Sequence, residues 1–269
     1  VTLTTDAAML LAAYDDQLRT DAETPSATSV VRRGPLRLVT FAGGRGFVTY
    51  AGLDGADAAA VRDLVAEAVG YYRSDPAITR VEWKTRGHDH APGLHDVLVE
   101  HGFIPDETES IMIGAAAALA VDVPLPDGVT LRRVTAERDV RAMAATADEV
   151  FGDDPATSGT AEALLRRQAI DPHLELWVAE ADGVVLSTGR LEPVPGTQFA
   201  GLWGGATRPE CRGRGLYRAL TAARARAALA AGATYLHSDS TEFSRPILER
   251  SGLLRVSTTT PYRWVRPES

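Results

Sequence analysis

The sequence has one cysteine, Cys211, and so can close no disulfide within itself. It also lacks any apolar run approaching the roughly 18 residues that a membrane-spanning helix requires. Basic residues are the minority, 28 against 36 acidic, and the formal net charge is −8. A surface of that sign repels nucleic acid and anionic lipid. The N-terminal stretch VTLTTDAAMLLAAYDDQLRTD has an apolar middle but carries acids where a secretory leader carries basic residues, and it has no small-residue cleavage pattern. Together these absences predict a cytoplasmic protein without a nucleic-acid or membrane partner.

What is present is a hydrophobic fraction of 45% over 269 residues, enough to bury the core of one large domain or two ordinary ones. Composition shifts across GAAAALAVDVPLPDG, residues 114 to 128, where small apolar residues give way to a Pro/Asp/Gly cluster suited to a connector. The expected boundary lies near Asp122, dividing the chain into 1–122 and 123–269. After it, VTLRRVT reads as a strand. Thr135 can cap a helix carrying Val140, Met143, Ala144, Ala147, Val150 and Phe151 at helical spacing.

A second helix is expected from Thr160 to Ala169. LELWVAE and VVLSTGRLEP read as a hairpin around Asp182-Gly183, with QFAGLWGGAT as a further strand. Leu216, Leu220, Ala223, Ala227 and Ala230 predict a helix with one buried stripe. TYLHSD, a short helix from Ser244 to Arg250 and a strand around TPYRWV complete the second half. The first half repeats the later part of this order: helix DAAAVRDLVAEAVGYYRSD, strand ITRVEWK, helix GLHDVLVEHGF and strand ESIMIG. VLVEHGF and ILERSGL both place a leucine (Leu98, Leu248) four residues before a glycine (Gly102, Gly252).

Between Arg208 and Arg226 stand six arginines (208, 212, 214, 218, 224, 226) and one acid, Glu210, a local excess of five positive charges in an acidic chain. Gly213 and Gly215 lie just before the helix, whose first-turn N–H groups have no intrahelical partner and whose dipole adds partial positive charge. Without a Cβ, glycine lets a phosphate come close to those groups. A diphosphate suits such a mouth. The Walker spacing is excluded, because no Lys-Ser/Thr pair follows Gly215. A dinucleotide fingerprint, G213-R-G215-L-Y-R218 with Asp239 as the ribose acid, would make the chain an NAD(P)-binding oxidoreductase. Its third glycine is Arg218 and too little chain remains for a doubly wound sheet.

The segment RPECRGRGLYRAL, between strand FAGLWGGAT and YLHSDSTEFSRPILERSGL, resembles the acetyl-CoA loop of the GNAT N-acetyltransferases, [RQ]-x-x-G-x-[GA]. Arg212 and Gly215 match it, and Tyr217 stands where the family usually has Gly or Ala. The resemblance covers residues 128 to 269 and makes the first half a degenerate GNAT-like domain without a CoA loop. At the equivalent helix start that half offers LDGAD, whose Asp54 and Asp57 repel a diphosphate.

The resemblance implies an α/β fold of two mixed, splayed sheets flanked by helices, with acetyl-CoA as cosubstrate and a small-molecule or peptide amine as acceptor. It further implies that Gly205, Ala206, Thr207, Arg212, Gly213, Arg214, Gly215, Leu216, Tyr217, Thr241 and Ser244 bind the coenzyme. The family's Tyr that protonates the thiolate corresponds to Leu248 here, and its Asn to Thr241. His237 and Asp239 alternate onto one face of TYLHSD, and Asp239, at the mouth of the cleft, is the candidate catalytic residue. A CoA-binding module without turnover is the alternative.

Several other features read as packing or loop. H88-D89-H90 has no distant fourth ligand, so no metal is expected. Cys211 lies in an electropositive loop that favours a thiolate, yet at a position of no catalytic weight. Trp177, Trp203, Trp264, Tyr217 and Tyr262 read as core or cleft-wall aromatics.

Overall fold

The chain adopts helices where apolar residues recur every three to four positions and strands where they alternate. In the computed structural model, which describes residues 3–267, it opens with α1 (Thr5–Leu18), β1 (Ser29–Arg33), β2 (Leu36–Phe41) and β3 (Arg45–Thr49). Next come α2 (Ala58–Ser74), β4 (Arg80–Lys84), α3 (Leu94–Glu100), β5 (Ile104–Pro105), β6 (Glu109–Ala115) and α4 (Ala116–Leu119). The middle of the chain forms β7 (Thr130–Val134), α5 (Glu137–Phe151), α6 (Thr160–Ile170), β8 (Glu175–Ala181), β9 (Val184–Pro193) and β10 (Phe199–Thr207). It ends with α7 (Leu216–Ala230), β11 (Tyr235–Ser240), α8 (Arg245–Arg250), β12 (Leu254–Thr259) and β13 (Pro261–Val265).

These elements form two compact units. The first comprises the chain up to Ile111, Asp239–Arg245 and the stretch from Arg255 onward. Its sheet has the order β1-β2-β3-β4-β13-β5, parallel only between β3 and β4. Helix α2 covers it, because Val61, Val65, Ala68, Val69 and Tyr72 fall on one helical face. The Tyr72 ring lies over Gly46, where a Cβ would come within 2.6 Å, and its hydroxyl donates to the carbonyls of Val39 and Phe47. Asp57 caps α2 by accepting from the Ala60 N–H at 2.9 Å.

Buried charge is concentrated in this unit. Glu23 accepts from Arg86, Arg37 and the Thr49 hydroxyl. Burial alone would raise its carboxyl, but Arg86 and then Lys84 outweigh that and hold it below the ordinary glutamate value. Arg19 donates to Asp89, Asp15 and the Tyr50 carbonyl, and its Nη1 lies 2.9 Å from His88 Nε2. His88 and Asp89 of the His-Asp-His stretch are therefore members of an arginine-centred network.

The second unit comprises Met112–Ser238 and Pro246–Leu254. The sheet carrying most of it runs β12-β6-β11-β10-β9-β8-β7. Strands β7 to β10 are successively antiparallel, while β10 and β11 are parallel. Leu176 and Val178 on one face pack with Val140, Met143 and Leu164 of α5 and α6. On the other face Leu191, Ala200 and Leu202 pack with Ala225 and Ala228 of α7. Asp182 and Gly183, at φ 50° and 77°, make the tight turn between β8 and β9, the left-handed geometry that joins twisted antiparallel strands.

The mixed, helix-flanked sheets are those anticipated, but two strands have other partners. ESIMIG, expected to close the first half, is β6 and lies in the second sheet; TPYRWV, expected to close the second half, is β13 and lies between β4 and β5 of the first. Both units are thus discontinuous in sequence, unlike a division near Asp122. The reason is that alternation specifies a strand and its buried face, whereas its neighbour is chosen by packing over long separations.

Strands β1 to β3, β5 and β12 and helices α1 and α4 have no counterpart among the elements expected from sequence. Helix α5 has Ala136 at its N-cap, without a side-chain cap, in place of Thr135. Ala230 is exposed, and α7 buries Ala219, Ala222, Ala225 and Ala228 instead. The repeated Leu…Gly has a local cause. Phe103 N–H donates to Leu98 O and Leu253 N–H to Leu248 O, both 3.0 Å, across glycines at φ 86° and 100°. Each helix therefore stops in the same left-handed glycine cap.

Candidate functional site

In the second unit β10 and β11 pair only through Phe199–Gly201 with Tyr235–His237. Beyond Gly201 the two parallel strands part, leaving one edge of β10 unpaired by its neighbour. On its other edge β10 pairs with β9 up to Trp203 opposite Arg190, then resumes at Ala206 opposite Thr188. Gly204 and Gly205 thus face Gly189 alone, a β-bulge that breaks the hydrogen-bond ladder locally. Gly204 takes φ 58°, and its carbonyl accepts from the Thr188 hydroxyl at 3.1 Å. A Cβ on Gly205 would come within 2.7 Å of the Tyr217 ring, so the tyrosine fills the space that the glycine leaves.

From Thr207 the chain turns through Pro209–Cys211 into the loop before α7. Ser187 Oγ donates to Ala206 O and lies 2.8 Å from Thr207 Oγ1. Arg212 Nε donates to Thr207 O at 3.2 Å, tying the loop to the strand end. Gly213 and Gly215 adopt φ 73° and 82°, where a side chain would be strained, and nothing lies within 4 Å of a Cβ placed on Gly213. Gly215 is the N-cap of α7, with no side-chain cap. The first-turn amides of Leu216, Tyr217 and Arg218 therefore have no intrahelical acceptor. The contrast is α2, whose entrance Asp57 caps with its own carboxylate.

The arginines divide into two groups, which a charge count could not see. Arg208 pairs with Glu149 at 2.9 Å and donates to Val185 O. Arg226 donates to Val121 O. Arg224 is only 1% exposed and donates to the carbonyls of Leu220 and Arg190 and to Thr221 Oγ1. Burial brings its guanidinium down to about 10. Arg212, Arg214 and Arg218 are exposed at the mouth of α7, and among the described residues Arg214 and Arg218 have no side-chain partner. The local excess is nearer three charges facing solvent than five.

A cavity of about 100 Å³ opens beside this mouth, lined by Leu119, Val121, Arg218, Thr221 and Arg250. Cys211 is buried against Val129, Ala179 and Leu216, a packing position.

The structure therefore gathers Gly205, Ala206, Thr207, Arg212, Gly213, Arg214, Gly215, Leu216 and Tyr217 in the second unit. Asp239, Thr241 and Ser244 belong to the first. Asp239 Oδ2 accepts from Lys84 Nζ at 2.6 Å. Thr241 O accepts from the N–H groups of Ser244 and Arg245, which opens α8. Leu248 is 1% exposed in the core. Arg190, against the bulge, was not singled out from sequence, because nothing in a strand's alternation marks one polar residue among others. Among the described residues no cluster of metal-ligating side chains occurs, and no helix is long and apolar enough to cross a membrane.

Residues 141–252 match the model of the acetyltransferase (GNAT) family. No curated protein matches the chain. Among solved structures it is similar to a GCN5-related N-acetyltransferase from Kribbella flavida, with 19% identity and a TM-score of 0.66 over 100% of this chain and 98% of that one. A tandem GNAT protein from the clavulanic acid biosynthesis pathway, solved without AcCoA, shows 16% identity and a TM-score of 0.61 over 100% and 99%. A putative GNAT-family acetyltransferase from Novosphingobium aromaticivorans shows 21% and 0.55 over 95% and 97%. The match to the acetyltransferase (GNAT) family is confined to residues 141–252, and along its whole length the chain shares the fold of the GCN5-related N-acetyltransferase and of the tandem GNAT protein.

Proposed function

We propose that the chain is an N-acetyltransferase moving the acetyl group of acetyl-CoA to a primary amine of a small molecule or peptide. The observation that carries this reading is the entrance of α7, an uncapped helix start between left-handed glycines with exposed guanidinium groups around it. Paired phosphates suit it, because the amides donate along the helix dipole and Arg212, Arg214 and Arg218 offset the charge. Arg218 and Arg250, flanking the adjacent cavity, suit a further phosphate of the same cosubstrate. The amide-bearing arm of the coenzyme would pair with the free edge of β10 where it parts from β11. Its thioester would then end at the bulge of Gly204 and Gly205, where broken pairing leaves backbone donors for a developing oxyanion.

In the transfer the amine nitrogen bonds to the carbonyl carbon and the carbon–sulfur bond breaks. One proton leaves the nitrogen and one is gained by the sulfur. Asp239 is the candidate to receive the first, with Lys84 holding its carboxylate. An Asp239→Asn protein with full turnover and an unchanged pH profile would remove it from the mechanism.

One observation favours a second reading, a CoA-binding regulator without turnover. Leu248 offers no hydroxyl to the departing sulfur and is closed into the core. Calorimetric titration with acetyl-CoA, followed by release of free thiol over a panel of amines, separates the readings. Binding with thiol release supports transfer, binding alone supports the regulator, and absence of binding rejects both.

A further inference from the structure

Arg190 lies across the β-bulge from the expected position of the thioester, on the face of β9 that carries Thr188 and Glu192. Its guanidinium lies beside Gly204, the carbon and two nitrogens standing 3.6–3.7 Å from a Cβ placed there. One carboxylate serves it. Arg190 Nε is 3.2 Å from Glu192 Oε1, but off the direction of a hydrogen bond, and that buried nitrogen has no hydrogen-bond partner.

Glu192 is already engaged. Arg167 of α6 grips it with both Nη atoms, at 3.0 and 2.8 Å. Two guanidinium groups thus share the Glu192 carboxylate; Asp171 also acts on Arg167, whereas Glu192 is the one acid acting on Arg190. Burial, reinforced by Arg167 and only partly answered by Glu192, holds Arg190 below the ordinary arginine value. The Arg190 side chain is nevertheless 26% exposed, so the cluster opens to solvent on one side. Trp203 and His237, ring centroids 5.2 Å apart, stand beside it at the point where β10 and β11 part.

A guanidinium in that position constrains the acceptor. An amine attacking the thioester carbon must come within roughly 3–3.5 Å of it, which brings a group a few bonds from that nitrogen to the surface of Gly204. An acceptor with a cation there would be repelled by Arg190, whereas a carboxylate would pair with it through two parallel N–H···O bonds. A nearby fixed cation also favours the neutral form of the attacking amine.

Building on the acetyl-transfer reading, we propose that the acceptor is an amine bearing a carboxylate a few bonds from its nitrogen, the amino acid class, and that Arg190 binds that carboxylate. The overall acidity of the chain, which by itself favours a purely cationic amine, does not describe this local field. Arg167 holds Glu192 and thereby fixes the orientation of Arg190; it is a positioning residue.

The experiment compares each of several α- and β-amino acids with its decarboxylated amine, using the full chain, acetyl-CoA and release of free thiol. Amino acids are expected to exceed their decarboxylated partners by tenfold or more in kcat/KM. Arg190→Gln should raise KM for the amino acids tenfold or more while kcat and acetyl-CoA affinity change little. This variant leaves Glu192 paired one-to-one with Arg167, so the fold should be retained, as an unchanged or higher Tm would show. A second readout needs no turnover: N-acetyl-alanine, N-acetyl-leucine and N-acetyl-phenylalanine are titrated into the coenzyme-free protein by NMR. At least one should bind the wild type and lose binding in Arg190→Gln. If acetyl-CoA fails to bind, the transfer reading falls while this titration still decides the carboxylate site. If thiol release is equal for amines and amino acids, or the titration shows no Arg190-dependent binding, the carboxylate proposal falls and acetyl transfer stands.

Discussion

Gly205 and Tyr217 illustrate how one residue accounts for another. The family resemblance leads one to expect a small residue at 217, and the tyrosine is accommodated because its ring lies where Gly205 has no side chain. Gly205→Ala should therefore destabilise the protein by about 1–3 kcal/mol through overpacking, read as a lower midpoint in urea. Gly205→Ala combined with Tyr217→Ala should recover part of that loss, since the methyl then has space. Two carboxylates of the first unit respond to pH in opposite senses. Burial, with Asp239 nearby, lifts Glu109 from 4.5 to about 6, so its ionisation costs the native state stability as pH rises from about 4.5 through 6. Allowing for its partial exposure, Glu109→Gln should stabilise by about 1 kcal/mol at pH 7–8, and the gain should vanish below pH 4.5. Glu23 is shifted the other way, so its contribution is complete above 4.5 and is lost as pH falls through its depressed value. Glu23→Gln leaves Arg86 and Arg37 without their carboxylate and should cost about 3–5 kcal/mol at pH 7, the difference shrinking in acid. Denaturant unfolding carried from pH 8 down to the acid limb below pH 4 measures both.

At the scale of the element, α7 and α2 are two helix entrances that the same chain treats differently. Asp57 supplies α2 with its own anion, while Gly215 leaves α7 in need of one. This contrast was legible in sequence, because a cap depends on residues within three or four positions. The arginine count around α7 was less so, since a side chain's direction depends on the sheet beneath it. Arg224 turns inward over Gly189, where a Cβ would come within 2.6 Å of its guanidinium, and contributes nothing to the mouth. Accordingly Arg212→Ala, Arg214→Ala and Arg218→Ala should each weaken acetyl-CoA binding by about 1 kcal/mol, roughly fivefold. Arg226→Ala should leave it unchanged. The effects should diminish from 50 to 500 mM salt as exposed charges are screened, and calorimetry at both ionic strengths checks this.

For the whole molecule, the decisive feature is the place of β13. Tyr262 and Trp264 are buried in the first unit, and the strand fills the interval between β4 and β5. Truncation after Thr260 should therefore remove more than about 3 kcal/mol from the first unit, the cost of emptying a large aromatic position. The expected readout is loss of its cooperative transition in thermal unfolding followed by near-UV circular dichroism. A chain divided at Asp122 would suffer similarly, because each sheet would lose a strand drawn from the other half of the sequence.

Determined by the sequence alone were most helices and most strands, the glycine caps after Leu98 and Leu248, and the phosphate-suited entrance of α7. All of these arise from neighbours a few residues apart, through helical spacing, left-handed glycine and unpaired amides. The tertiary structure decided which strands pair, which arginines face solvent, that Asp239 meets Lys84, and that Arg190 stands over the bulge sharing Glu192 with Arg167. Those outcomes depend on contacts between residues tens to hundreds of positions apart, where packing selects the partner and local chemistry has no part in the choice.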